Sequence, residues 1–154
     1  MGIGLRSIFV IKFNNILLSI RPIYVDKIAQ GIKRHELRRS TPKIKTGDLG
    51  FIYATNPIKA LVGKFKIGQI ISGKPYQIWQ SSQKTANFGL RKDTFDQYFK
   101  GSNHACAIEI LDYKPLNITI SREDLINKYN IHPPQSYRYL STATYNHLIN
   151  SNNL

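Results

Sequence analysis

Acidic residues are what this sequence has least of: nine Asp and Glu stand against 22 Lys and Arg in 154 residues, a net charge of +13 at neutral pH. The shortage is uneven. Between Lys27 and Lys74 eleven basic residues meet only Glu36 and Asp48, while six of the nine acids follow residue 90. Polyanions are the partner that such a half fits. Cysteine is almost missing as well. The single Cys106 lies in the apolar run Ala105-Cys106-Ala107-Ile108. One cysteine excludes a disulfide framework and a cysteine-based zinc site, and this one is read as a buried, inert thiol. No stretch approaches the roughly 20 apolar residues of a membrane span. The apolar start from Met1 carries Arg6 but has no long apolar core or small-residue cleavage site, and Lys12, Asn14 and Asn15 interrupt it, so it is not read as a signal peptide. No strongly amphipathic basic helix suggests a membrane surface. His35, His104, His132 and His147 are scattered without metal-ligand spacing. The expectation is a cytoplasmic protein with no metal and no cofactor.

The chain has the length of one domain, enough to bury roughly two-thirds of the surface its unfolded form exposes. Ile16 to Ile20 is a short apolar run with the character of a buried strand. Pro22 suits the first turn of a helix, Tyr24 and Ile28 share one face of it, and Gly31 stops it. Leu49 to Ala54 reads as a strand with Leu49, Phe51 and Tyr53 on one face. A longer strand from about Lys59 to Ile71 places Leu61, Gly63, Phe65, Ile67 and Ile71 on one face, with bulges or bends at Gly63 and Gly68. Helices are expected from Pro75 to about Lys84 and from Arg91 to Lys100, the second burying Phe95, Tyr98 and Phe99. His104 to Tyr113 returns to strand. Ser121-Arg122-Glu123-Asp124 begins a helix in the manner of a capping box, Gln135 to Leu140 is a closing strand, and Thr142 to Ile149 is a last helix. Short strands interrupted by short helices make an α+β domain around a small, mostly antiparallel β-barrel.

The stretch with the sharpest chemistry is Gly31 to Arg39. Lys33, Arg34, Arg38, Arg39, Lys43 and Lys45 surround one carboxylate, Glu36. Alternation along a strand groups Arg34, Glu36 and Arg38 on one surface, away from His35, Leu37 and Arg39, and leaves Lys33 beside the glycine turn unassigned.

Leu18-Ser-Ile-Arg-Pro, the G-x-K-x-x-E-x-R string formed by Gly31, Lys33, Glu36 and Arg38, and Ile52-Tyr-Ala-Thr-Asn-Pro-Ile-Lys59-Ala-Leu-Val-Gly63 follow in an order and spacing that resembles the ASCH domain, of the PUA-like superfamily of small RNA-binding β-barrels. The similarity continues through Pro75, Trp79, Phe95, Tyr98 and Gly101 to Tyr137. It divides the chain into an N-terminal extension at 1–15, either separate from the barrel or part of it, an ASCH/PUA-like domain at 16–140, and a C-terminal helix and polar tail at 141–154. The resemblance implies a nucleic-acid-binding domain with roles in transcription, translation or RNA processing. It also implies a cleft between the first helix and the motif strand. Lys33, Glu36 and Arg38 would line that cleft, with Tyr53 and Lys59 across from them and Ser136 and Tyr137 arriving on the closing strand. One branch of the family deacetylates N4-acetylcytidine with a lysine and a threonine; here Glu36 occupies the threonine position, and a carboxylate cannot replace a hydroxyl nucleophile in simple acyl transfer.

Two functions follow. In an RNA-binding module, Lys33, Arg38, Arg39, Lys43, Lys45, Lys59 and Arg138 face phosphates, Tyr53 or Tyr137 stacks on an unpaired base, and Ser136 borders the cleft. Glu36 then either accepts from a base amine or simply pairs with Arg34 or Arg38. In an RNA-processing enzyme, a ribonuclease or a modified-nucleoside amidohydrolase, Lys59 stabilises the developing anion. Tyr53 or Ser136 assists proton transfer there, and Glu36 or Lys33 is the base. A protein-interaction domain built on the same fold is a third possibility.

Overall fold

Pro22 and Gly31 bracket the first helix as expected: α1 runs Pro22–Ala29, and Gly31 sits just past it at φ +74°. The computed structural model describes residues 14–82 and 88–152. Nearly all of the N-terminal extension, the end of the second expected helix and the last two residues lie outside the described residues. The strands are β1 (Asn15–Ile20), β2 (His35–Arg38), β3 (Leu49–Ala54), β4 (Ala60–Gly73), β5 (Ala105–Ser121) and β6 (Tyr137–Leu140). The remaining helices are α2 (Pro75–Ser82), α3 (Lys92–Phe99), α4 (Arg122–Tyr129) and α5 (Thr142–Asn152). Ser121 caps α4, its Oγ accepting from the Asp124 N–H at 3.1 Å.

The six strands form one sheet in the order β2-β5-β4-β3-β1-β6, curved into a half-barrel. Among the described residues only β1 and β3 pair in parallel; every other ladder is antiparallel. Among the described residues the ladder does not close, so β2 and β6 are the two edges of an open seam.

Three apolar clusters build the core. On one face, Ile16, Leu18 and Ile20 of β1 pack with Ile52, Phe65, Ile67, Cys106 and Ile108 and with Val25 and Ile28 of α1. On the other, Leu17, Phe51 and Tyr53 meet Leu125 of α4 and Tyr145 and Leu148 of α5. A third cluster, Leu37, Ala105 and Ala107, lies under Ile78 of α2 and Phe95 and Phe99 of α3. Because α2 and α3 cover the Leu37 side, all four residues of β2 are buried.

The structure corrects three expectations. Leu61 does not share a face with Phe65 and Ile67, and Ile71 joins the cluster under α2 and α3. The cause is irregular pairing: the register against β5 shifts between Leu61 and Gly63, between Lys64 and Lys66, and between Ile67 and Ile70, and the first and last of these fall where the side chains change clusters. Second, β5 continues far past Tyr113, to Ser121. Pro115 is tolerated inside it because it pairs with Gly63 where the ladder is already shifted. Third, Tyr98 is not core; its ring is 38% exposed.

Candidate functional site

At the seam, three charged side chains from the Gly31–Arg39 stretch are folded inward. Lys33 is 2% exposed, and Glu36 and Arg38 are each 6% exposed. Arg38 donates through Nη1 to Glu36 Oε1 and, at 2.7 Å, to the Leu37 carbonyl. Its Nη2 reaches the Ser19 carbonyl at 2.9 Å and the Ser136 carbonyl at 3.5 Å. Ser19 belongs to β1 and Ser136 immediately precedes β6, so one guanidinium ties the β2 edge to the far side of the seam. Lys33 Nζ lies 3.5 Å from Glu36 Oε2 and donates to the Phe88 carbonyl at 2.8 Å. The Lys27 ammonium does the same for the Gly89 carbonyl at 2.8 Å, and both ammonium groups sit over the Tyr24 ring. Glu36 Oε2 and Arg38 Nε have no hydrogen-bond partner.

The alternation reading paired Arg34 with Glu36 and Arg38. Arg34 is instead exposed, ahead of β2, and Lys33 takes the inward place. Gly31 re-aims the backbone before the strand begins, so period two does not extend back to residue 34.

Burial lowers the Lys33 pKa from its ordinary 10.5, more than the attraction of the Glu36 carboxylate restores it. The sign of the linkage follows. The stability due to the neutral amine is present above 10.5 and is lost as pH falls through the lowered folded value. Wild-type stability measured relative to Lys33→Met is therefore expected to rise with pH in the window between that lowered value and 10.5. Denaturant midpoints of the two proteins across alkaline pH check this, and a flat difference overturns it.

Above the ionic trio opens a cavity of about 660 Å³. Its walls are Tyr24 of α1, Ile20 and Leu37 of the sheet, Leu90 with Thr94, Gln97 and Tyr98 at and ahead of α3, and Gln135 with Ser136 before β6. The Tyr98 hydroxyl donates to the Leu37 carbonyl at 3.3 Å, and burial pushes its pKa up. Sequence reasoning assigned Tyr98 to the core. Its place three residues after Phe95, at the border of the stripe set by Phe95 and Phe99, was the available signal. Tyr24, Gln97 and Gln135 gave none.

Two expected members are elsewhere. Tyr53 packs with Leu17, Phe51 and Leu61, and neither it nor Lys59 lines the cavity, which corrects their placement opposite the trio. Ile52 and Ala54 take the α1 side of β3, so alternation sends Tyr53 to the other face. Burial raises its pKa while the Arg122 charge pulls it back. Lys59 is exposed at φ +50°, and its carbonyl accepts from the Arg122 N–H at 2.9 Å. Ser136 reaches the cavity as expected.

The basic rim is partly committed to structure. Arg39 donates to the Tyr98 carbonyl at 2.9 and 2.5 Å and stacks over that ring. Arg138 bonds the His132 carbonyl at 3.2 Å. Lys43 and Lys45 are exposed on the loop after β2. The Tyr137 hydroxyl is 3.5 Å from Ser40 Oγ. Among the described residues no cluster of three His, Cys, Asp or Glu is arranged for a metal, and no helix is long and apolar enough to cross a membrane.

The sequence model of the ASCH domain matches residues 18–119, which hold the second half of β1, the Lys33-Glu36-Arg38 string and most of β5. The chain belongs to the ASCH domain family. Within that family it is 29% identical over 125 residues to an ASCH domain-containing ribonuclease of Zymomonas mobilis, covering 80% of this chain and 82% of that protein. The crystal structure of ASCH from Zymomonas mobilis superposes with a TM-score of 0.78 at 26% identity, over 88% of this chain and 94% of that one. The Zymomonas protein has also been solved with a tyrosine replaced by phenylalanine and with a serine replaced by alanine. The N-terminal domain of Staphylothermus marinus McrB shares the fold alone, at 11% identity and a TM-score of 0.56 over 90% of this chain and 95% of that one.

Proposed function

We propose that this ASCH domain protein binds single-stranded RNA and receives an unpaired nucleotide in the seam cavity. The observation that carries the reading is the cavity's make-up. Its size suits a small organic group, its walls offer Tyr24, Tyr98 and Leu90 to a flat base, and its floor carries two cations against one carboxylate. Splayed bases are recognised in this way, on aromatic and apolar walls with a few polar partners. The excess of basic residues between Lys27 and Lys74 supplies phosphate affinity without sequence information. The ion pairs also favour one of the two roles considered for Glu36: the acid orients Arg38 and Lys33 ahead of any contact with a base.

Fluorescence anisotropy with a labelled single-stranded RNA over a salt series tests the proposal. Affinity is expected to fall with salt, with a log–log slope of about −0.7 per phosphate contacted. An affinity indifferent to salt, or equal for duplex DNA, overturns it.

A second reading, that the protein also cleaves RNA, is favoured by the ribonuclease name of the Zymomonas relative. It is favoured too by the grouping of Tyr53, Lys59 and Arg122 where β3 passes into β4. Phosphoryl transfer needs cations where charge develops and a proton donor near the leaving oxygen. Lys59 and Arg122 provide the first, and Tyr53 the second.

A further inference from the structure

We propose that Tyr139 is a stacking platform for a second base of the same RNA strand as it leaves the seam cavity past Ser136. This rests on the RNA-binding reading and adds to it a contact outside the cavity.

Tyr139 stands on the edge strand β6 with 45% of its surface exposed, one of several exposed large apolar side chains described. Exposure alone would mean little. What sets this ring apart is that it is braced. Its hydroxyl accepts from the Lys43 N–H at 2.7 Å. The Tyr137 ring meets it edge-on, with centroids 5.9 Å apart and planes at 66°, and Tyr137 is itself packed against the core. The Lys43 carbonyl in turn accepts from Asn14 Nδ2 at 2.8 Å. An exposed ring already held in one orientation loses little entropy when a base settles on it.

Charge indicates which way the strand runs. The loop that holds the tyrosine hydroxyl carries Arg39, Lys43 and Lys45, and its closest acid in sequence, Asp48, is fully buried and accepts from the N–H groups of Asn14 and Lys45. Across the cavity, the Asp93 and Asp96 carboxylates of α3 are each paired with a cation, Arg91 and Lys92. Lys43 and Lys45 leave exposed cations on the loop that is tied to Tyr139, where a phosphate leaving the cavity past β6 would meet them. Three residues separate Ser136 from Tyr139, about 10 Å along an extended strand. That span is short enough for a neighbouring nucleotide of the strand held in the cavity. Base–aromatic stacking is tolerant of sequence, because every base has a π face.

The experiment is anisotropy with fluorescein-labelled hexauridylate on wild type, Tyr139→Ala, Tyr139→Phe and Lys43→Ala. Thermal melts establish that each variant is folded, and size-exclusion chromatography gives its oligomeric state. Tyr139→Ala is expected to weaken binding about 5- to 150-fold, the weight of one base–aromatic stack, with an unchanged salt slope. Tyr139→Phe keeps the ring and is expected to bind close to wild type. Lys43→Ala should reduce the salt slope by about 0.7 if that lysine meets one phosphate. Unchanged affinity in Tyr139→Ala overturns the proposal, as does a loss in Tyr139→Phe equal to that in Tyr139→Ala, which would make the hydroxyl a structural tie. A loss that tracks dissociation of a dimer assigns the β6 edge to a second copy of the chain and overturns it too. If wild type binds no hexamer at all, the RNA-binding reading itself falls.

Discussion

Glu36→Ala is expected to lower the unfolding free energy by about 3–5 kcal/mol, the cost of breaking a buried ion pair from one side. Both cations it serves are out of water: Lys33 is 2% and Arg38 is 6% exposed. Without the carboxylate they face one another across a buried space, with only the carbonyls of Phe88, Leu37, Ser19 and Ser136 as partners. Glu36→Gln keeps the shape and one acceptor for Arg38 and should lose markedly less. Denaturant titrations of the two variants check this. A loss below about 1 kcal/mol for the alanine variant would put the pair in the range of solvent-exposed bridges and overturn the description of a buried trio.

Lys59 gives the second large effect, with the opposite balance of stability and function. Its φ of +50° is a conformation that costs a side-chain-bearing residue of order 1–2 kcal/mol and that glycine adopts freely. The backbone is held there from both sides, the Lys59 N–H donating to the Thr55 carbonyl at 3.2 Å and its carbonyl accepting from Arg122. Strain kept at an exposed lysine is characteristic of functional positions. Lys59→Gly is accordingly expected to leave stability unchanged or raise it by up to about 1 kcal/mol. If the protein cleaves RNA, the same variant is expected to slow cleavage about 100- to 1000-fold, the loss typical of removing one group aimed at developing charge. RNA affinity should change little, because Lys59 lies outside the cavity. Melting curves together with a cleavage assay on a labelled single strand decide it. Normal turnover in the glycine variant removes Lys59 from the chemistry.

Local grammar made much of the fold legible. Pro22, Gly31 and the Ser121 cap mark helix ends through backbone requirements of the residues themselves, and the β3 boundaries follow from an unbroken apolar run. The inward turn of Glu36 and Arg38 followed from two-residue spacing. What failed depended on partners. The faces of β4 cannot be read without knowing that β5 slips register against it three times. The reach of β5 through Pro115 is intelligible only once Gly63 is seen opposite. Lys33 was undecidable because a left-handed turn precedes it. Tyr53 and Lys59 were set against the trio by family resemblance, and only the sheet as a whole shows them to lie away from the cavity.

The open seam has a consequence for the protein's behaviour in a crowded cell. An unpaired strand edge is a template on which another chain can add a strand, the first step of aggregation. Here both edges, β2 and β6, are only four residues long and face the same gap. Arg38 occupies acceptors on the far side of that gap, while the Tyr137 and Tyr139 hydroxyls engage the loop that follows β2. The groups that shape the mouth of the cavity thus also guard the sheet against self-association. An opening wide enough to admit a nucleotide is kept too occupied by side chains to admit a strand.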